Sequence, residues 1–221
     1  YLALLSQRDL PNWGLPATPA VTDRLMRMVA ALHGQEWNAS KIAQSLAVSY
    51  KTVNSYMDYL VGGFLVRRLE PFHANIKKRL VKRPKVYWRD SGLLHALMQV
   101  RDLNHLLGQP WVGASWEGFV LEQVLGHLSA WGVMADAYHF RTSDQYEIDL
   151  LLEVEGMRWA IETKLTSSPS VDDLRIAQKT ASFVKADRIA VVSRTTETID
   201  SGGILSTNLS GLLKRLHQEV C

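Results

Sequence analysis

A single cysteine, Cys221, closes a chain of 221 residues, so no disulfide framework exists and a reducing, cytoplasmic setting is expected. Long apolar runs are missing too. None approaches the roughly 18 residues of a membrane span, and the opening YLALLSQRDLP lacks the basic flank and cleavage pattern of a signal peptide. No membrane partner is expected. The seven histidines form no H-x-x-x-H and pair with no cysteine, which argues against zinc; His73 and His139 read as structural hydrogen-bond partners. The initiating methionine is also absent, so Tyr1 points to a piece of a longer protein.

What is present suffices for two modest cores, since 47% of the residues are hydrophobic. The charge is divided unevenly about the GQP turn. Residues 1–108 carry 15 Lys and Arg against 7 Asp and Glu, whereas residues 109–221 carry 10 against 15. We therefore read two domains, 1–108 and 109–221. A basic half suits a polyanion such as DNA, and an acidic half suits solubility or metal binding.

In the first half, Leu25, Met28, Val29 and Leu32 recur at helical spacing up to Gly34. NASKIAQSLAVSYKTVNSYMDYL then offers Ser40 as an N-cap, a short helix through Leu46, a tight turn, and a second helix from about Tyr50 to Leu60. FLVRRLEPF and KVYWRD supply two strand candidates. The pattern predicts a winged helix-turn-helix. Lys51, Thr52 and Asn54 on the second helix are residue types that read groove edges and phosphates, and Lys77, Lys78, Arg79, Lys82, Arg83 and Lys85 gather beside the wing. DNA binding is the leading expectation; a protein-interaction module with a solvated basic loop is the alternative. Ser91 reads as an N-cap, and Trp37, Trp88, Trp111 and Trp159 as core or interface aromatics.

The second half reads α-β-β-β-α-β: a helix at 115–132, strands in ADAYHFRT, YEIDLLLEV and RWAIETKL, a helix near 171–185, a strand in RIAVVSR, and a last helix in LSGLLKRLHQ. The class is α/β (α+β) with a mixed sheet. DSGGILS at 200–206 reads as a plain turn. With Glu155-Gly156 as a two-residue turn, Glu153 faces Arg158, Glu147 faces Lys164, and Asp149 faces Glu162. Two opposed carboxylates repel unless a proton, a lysine or a cation lies between them. Mg²⁺ or Mn²⁺ would resolve that conflict, and Lys164 on the same face would stabilise a phosphate or orient water. The same spacing also fits the wet face of an amphipathic hairpin.

With that order of elements in place, EID and ETK resemble the motif of the restriction-endonuclease-like PD-(D/E)xK fold. The resemblance implies Asp149 and Glu162 as metal ligands, Lys164 as the catalytic lysine, and Glu117 in SWEGFVLEQ as a further ligand. No proline precedes the aspartate, a common relaxation of the motif. Across nearly the whole chain, RDLPNWG, WNASKIAQSL, FLVRRLEPFHANIKKRLVKRPKVYWRDSGLLHAL, GASWEGFVLEQ and EIDLLLE resemble the C-terminal region of an AAA+ ATPase family, the domain of unknown function 4143. An ATPase domain preceding this segment is then an expected partner, alongside DNA and a second copy of the chain. No G-x-x-x-x-G-K-[ST] loop occurs here, so this segment is not expected to bind ATP. The resemblance leaves two functions open: a metal-dependent nuclease, or an inactive nuclease-like domain that binds nucleic acid or protein for the ATPase. A pure interaction or oligomerisation scaffold would bind neither metal nor DNA.

Overall fold

Residues 1–74 and 80–221 are described by a computed structural model. Their contacts separate into two units: Tyr1–Arg68 with Arg83–Pro110, and Leu69–Lys82 with Trp111–Cys221. Lys82 thus falls in the second unit, and Arg83 and Lys85 in the first.

The first unit begins with α1 (Leu2–Leu4), which continues through one wide π turn into α2 (Leu10–Asn12). Then come α3 (Pro19–Ala31), β1 (Gln35–Glu36), α4 (Ala39–Leu46) and α5 (Tyr50–Gly62). The strand β2 (Val66–Pro71) starts in this unit, and β3 (Lys85–Trp88), α6 (Ser91–Leu97) and α7 (Leu103–Leu107) follow. The three expected helices are present, but two caps differ. Asn38, not Ser40, accepts the Lys41 amide and starts α4, and Asp90, not Ser91, accepts the Leu93 amide and starts α6. In each case the acceptor precedes the first helical residue, as an N-cap must. Ala47 adopts the left-handed conformation (φ 55°) and turns the chain between α4 and α5. Leu25, Ile42, Val53, Met57 and Leu60 from three helices are buried with Val86, Tyr87 and Trp88 of β3, whose four residues are all buried.

The second unit is built on α8 (Val112–Ala130), β4 (Ala135–Arg141), β5 (Glu147–Val154), β6 (Met157–Thr163), α9 (Val171–Phe183), β7 (Arg188–Val192), β8 (Ile199–Ser201), β9 (Ile204–Thr207) and α10 (Leu209–Val220). Its sheet runs β2-β4-β5-β6-β7-β9-β8, with Glu70 and Pro71 of β2 beside β4. β4, β5 and β6 are antiparallel neighbours, while β6, β7 and β9 are parallel. The chain is therefore mixed α/β. The stretch read as a plain turn is a small hairpin: Gly202 and Gly203, at φ 62° and 79°, join β8 to β9.

The Glu155-Gly156 turn has the positive φ angles, 47° and 74°, that a type I′ hairpin needs. The register follows as expected, with Glu153 opposite Arg158 and Leu150 opposite Ile161. The hairpin is not half-solvated, however. Leu150 and Leu152 are buried, and so are Leu151 and Ala160, which share a core with Ala181 and Val184 next to α9. Each large apolar side chain buried here contributes on the order of 1.5–3 kcal/mol. Strands covered on both faces leave little room for polar residues without a purpose.

Candidate functional site

The ladder between β5 and β6 stops at Leu150–Ile161, although β5 extends back to Glu147 and β6 on to Thr163. The cause is Asp149. Its carboxylate Oδ2 accepts the Thr163 amide and the Thr163 hydroxyl, each at 2.8 Å, taking the part that a neighbouring strand's carbonyl would play. Asp149 is buried, at 8% exposure. On its other edge β6 stays paired with β7 from Trp159 to Thr163: Glu162 lies beside Val191, and the Lys164 amide bonds the Val192 carbonyl at 2.8 Å.

Glu162 lies at this opening with its side chain 15% exposed. Oε1 accepts a hydrogen bond from Lys164 Nζ at 2.9 Å; Oε2 is buried with no hydrogen-bond partner among the described residues. Burial, then the charge of Asp149, pushes the Glu162 carboxyl well above its ordinary value; Lys164 opposes this and Glu117 adds a smaller push upward. Asp149, Lys164 and Glu117 are thus each within electrostatic reach of Glu162. Burial by itself would lower the Lys164 pKa, but Glu162, Asp149 and Asp173 outweigh it and hold the ammonium above its usual value.

One pairing of the pattern is corrected. Glu147 pairs with Arg141 of β4, its Oε2 3.7 Å from Arg141 Nε, rather than with Lys164, because the β5–β6 ladder has already ended. Glu153 does pair with Arg158, Nε to Oε1 at 3.0 Å. Among the described residues no three His, Cys, Asp or Glu side chains converge closely enough to enclose an ion. One oxygen of Asp149 is turned to Thr163 and one of Glu162 to Lys164. The donor set itself, hard carboxylate oxygens with one buried oxygen left without a partner, fits Mg²⁺ or Mn²⁺.

Sequence reasoning missed Thr163 and Asp173. The first cannot be foreseen, because its role depends on a side chain replacing a backbone acceptor. The second was marked by the S-x-x-D of Ser170–Asp173, the signature of a capping box, which opens α9.

In the first unit the candidate DNA-contacting residues fare differently. Lys51 is exposed on α5. The Thr52 hydroxyl lies 2.8 Å from Ser49 Oγ, which caps α5 by accepting the Thr52 amide. Asn54 Oδ1 accepts the Trp37 indole N–H at 2.9 Å. Lys85 is buried at 3% exposure inside β3 and presents no ammonium to a polyanion. Arg83 is exposed, as is Lys82 in the second unit; Lys77, Lys78 and Arg79 lie outside the described residues. His139 is buried and His73 exposed. No described helix is long and apolar enough to cross a membrane.

Comparison with known proteins divides the chain between residues 104 and 112, with 69–82 on the side of the first match. Uncharacterized proteins of Mycobacterium bovis and Mycobacterium tuberculosis are each 40% identical over 171 residues, 77% of this chain and 38% of the relative, so the chain spans well under half the length of these curated relatives. No solved structure matches. Residues 1–104 match the model of one domain of unknown function, DUF8612, and residues 112–210, which hold Asp149, Glu162, Lys164 and Glu117, match that of another, DUF4143.

Proposed function

We propose that the second unit is a metal-dependent phosphodiesterase domain of the restriction-endonuclease-like, PD-(D/E)xK kind, that the first unit is a winged helix binding duplex DNA, and that both serve an AAA+ ATPase elsewhere in the full-length protein. The observation that carries this reading is the buried Oε2 of Glu162, without a partner among the described residues, beside Asp149 and Lys164. An orphaned carboxylate oxygen in a sheet covered on both faces is costly, and it persists where a ligand compensates. Against the wet-face alternative stands the burial of Asp149, at 8% exposure.

Asp149, Glu162 and Glu117 would hold Mg²⁺ or Mn²⁺, which when bound activates a water and polarises a phosphate oxygen. Lys164 supplies a fixed positive charge to the phosphate oxygens as negative charge develops on them, the preorganised donor that such chemistry requires. Asp149, anchored to Thr163, keeps its carboxylate oriented without reorganisation. In the first unit, Lys51 on α5 and Arg83, both exposed, would supply positive charge to the phosphates.

One observation favours a second reading, an inactive nuclease-like domain that binds nucleic acid or protein. Asp149 is already committed to Thr163, and no three acids enclose an ion among the described residues. The test is cleavage of linear and supercoiled DNA in Mg²⁺ or Mn²⁺ at controlled salt, with binding measured in parallel. Metal-dependent cutting that Lys164→Ala abolishes supports the nuclease. DNA bound in a salt-sensitive manner but left intact under either metal selects the binding domain, and neither binding nor cutting removes both readings.

A further inference from the structure

The lysine at this site has a second acidic neighbour from outside its own strand. Lys164 Nζ lies 2.9 Å from Glu162 Oε1 and 3.9 Å from Asp173 Oδ1 on α9. Asp173 is anchored from behind. Its Oδ2 accepts the Ser170 amide at 2.9 Å and the Ser170 hydroxyl at 2.7 Å, while Ser170 Oγ accepts the Asp173 amide at 3.1 Å. Capping occupies one carboxylate oxygen and leaves the other toward the lysine. The Ser170 bonds also hold the Asp173 carboxyl below its ordinary pKa, so this oxygen stays charged at neutral pH.

A divalent cation at Glu162 meets an obstacle. Oε1 already carries the Lys164 ammonium, and ion and ammonium repel each other at such range. Unless another group receives the ammonium, the ion must either expel Lys164 into water or share a carboxylate with it. The flexible four-carbon stem of lysine allows a small swing to the waiting Oδ1.

We infer that Asp173 is a positioning residue that takes over the Lys164 ammonium when a divalent cation occupies Glu162, freeing that carboxylate while keeping the lysine beside the site. The inference rests on the metal-site reading above.

The experiment is calorimetric titration of Mn²⁺ into the whole chain, for the wild type, Asp173→Asn, Lys164→Met and the double variant, with circular dichroism to confirm folding. Asp173→Asn should weaken Mn²⁺ binding on the order of tenfold, and by less than about twofold when Lys164 is already Met. Ser170→Ala, which removes the hydroxyl but keeps the carboxylate, should leave the affinity close to wild type. An equal loss in both lysine backgrounds would make Asp173 a direct ligand or a helix cap only, and would overturn the inference; no loss in either background would do so too. A wild type that binds no Mn²⁺ removes the metal site itself and the inference with it, and is recognised before any variant is made.

Discussion

Two helix-and-strand regions of this chain put their polar residues to opposite uses. In the first unit, several described side chains that look like DNA readers are consumed by the fold: Asn54 satisfies the Trp37 indole, Thr52 bonds Ser49 at the cap of α5, and Lys85 is buried in β3. In the second unit a carboxylate oxygen of Glu162 is buried and unmet among the described residues, next to Asp149 and Lys164. Residue type alone ranks both sets as candidates. Whether a polar atom's hydrogen-bonding capacity is already used within the fold separates them.

The largest effect that would sharpen this contrast is kinetic. If DNA is cut, Lys164→Ala should lower kcat on the order of 10²–10³-fold. It should change stability by less than about 1 kcal/mol, because the Lys164–Glu162 pair is partly exposed. Single-turnover cleavage and a urea melt read the two quantities. Asp149→Ala should instead be costly to the fold, by about 2–4 kcal/mol, since it strands the Thr163 amide, while Asp149→Asn, retaining an acceptor, should cost less. Equal melts for the two variants would contradict the structural role given to Asp149. Asn54→Ala should cost about 1–2 kcal/mol and shift Trp37 fluorescence. A variant that keeps its stability but loses DNA affinity would move Asn54 from the fold to recognition and break the contrast.

The smallest effect concerns pH. The folded-state pKa of Glu162 is raised, so the stability linked to this group is fully present below the ordinary carboxylate value and is lost as pH rises through the folded pKa. Between pH 4.5 and 8 the urea midpoint of the wild type should therefore fall relative to that of Glu162→Gln. Parallel curves would mean that Glu162 titrates as an ordinary exposed acid.

Much of this was legible in the sequence, for reasons that particular residues make plain. Glu155-Gly156 fixes a two-residue turn, and that turn sets every pairing from Val154–Met157 to Leu150–Ile161. The juxtaposition of Asp149 with Glu162 follows from the same arithmetic. The end of the ladder does not, because it depends on where a carboxylate reaches in three dimensions, and the supposed Glu147–Lys164 pair fails with it. β8 and β9, three and four residues long, are too short for alternation to register, so only their glycines showed. The burial of Lys85 was hidden by its charge; its environment is set by β1 across the ladder, where Glu36 is its partner in register.

The carboxylate of Asp149 stands in for a missing piece of main chain, and this makes the edge of the hairpin a reporter. A cation held by Asp149 in its anchored position would fasten the Thr163 N–H bond, and one that drew Asp149 away would break it, so occupancy of the site would be written in the hydrogen-exchange rate of one backbone amide, readable whether or not a single phosphodiester bond is ever broken.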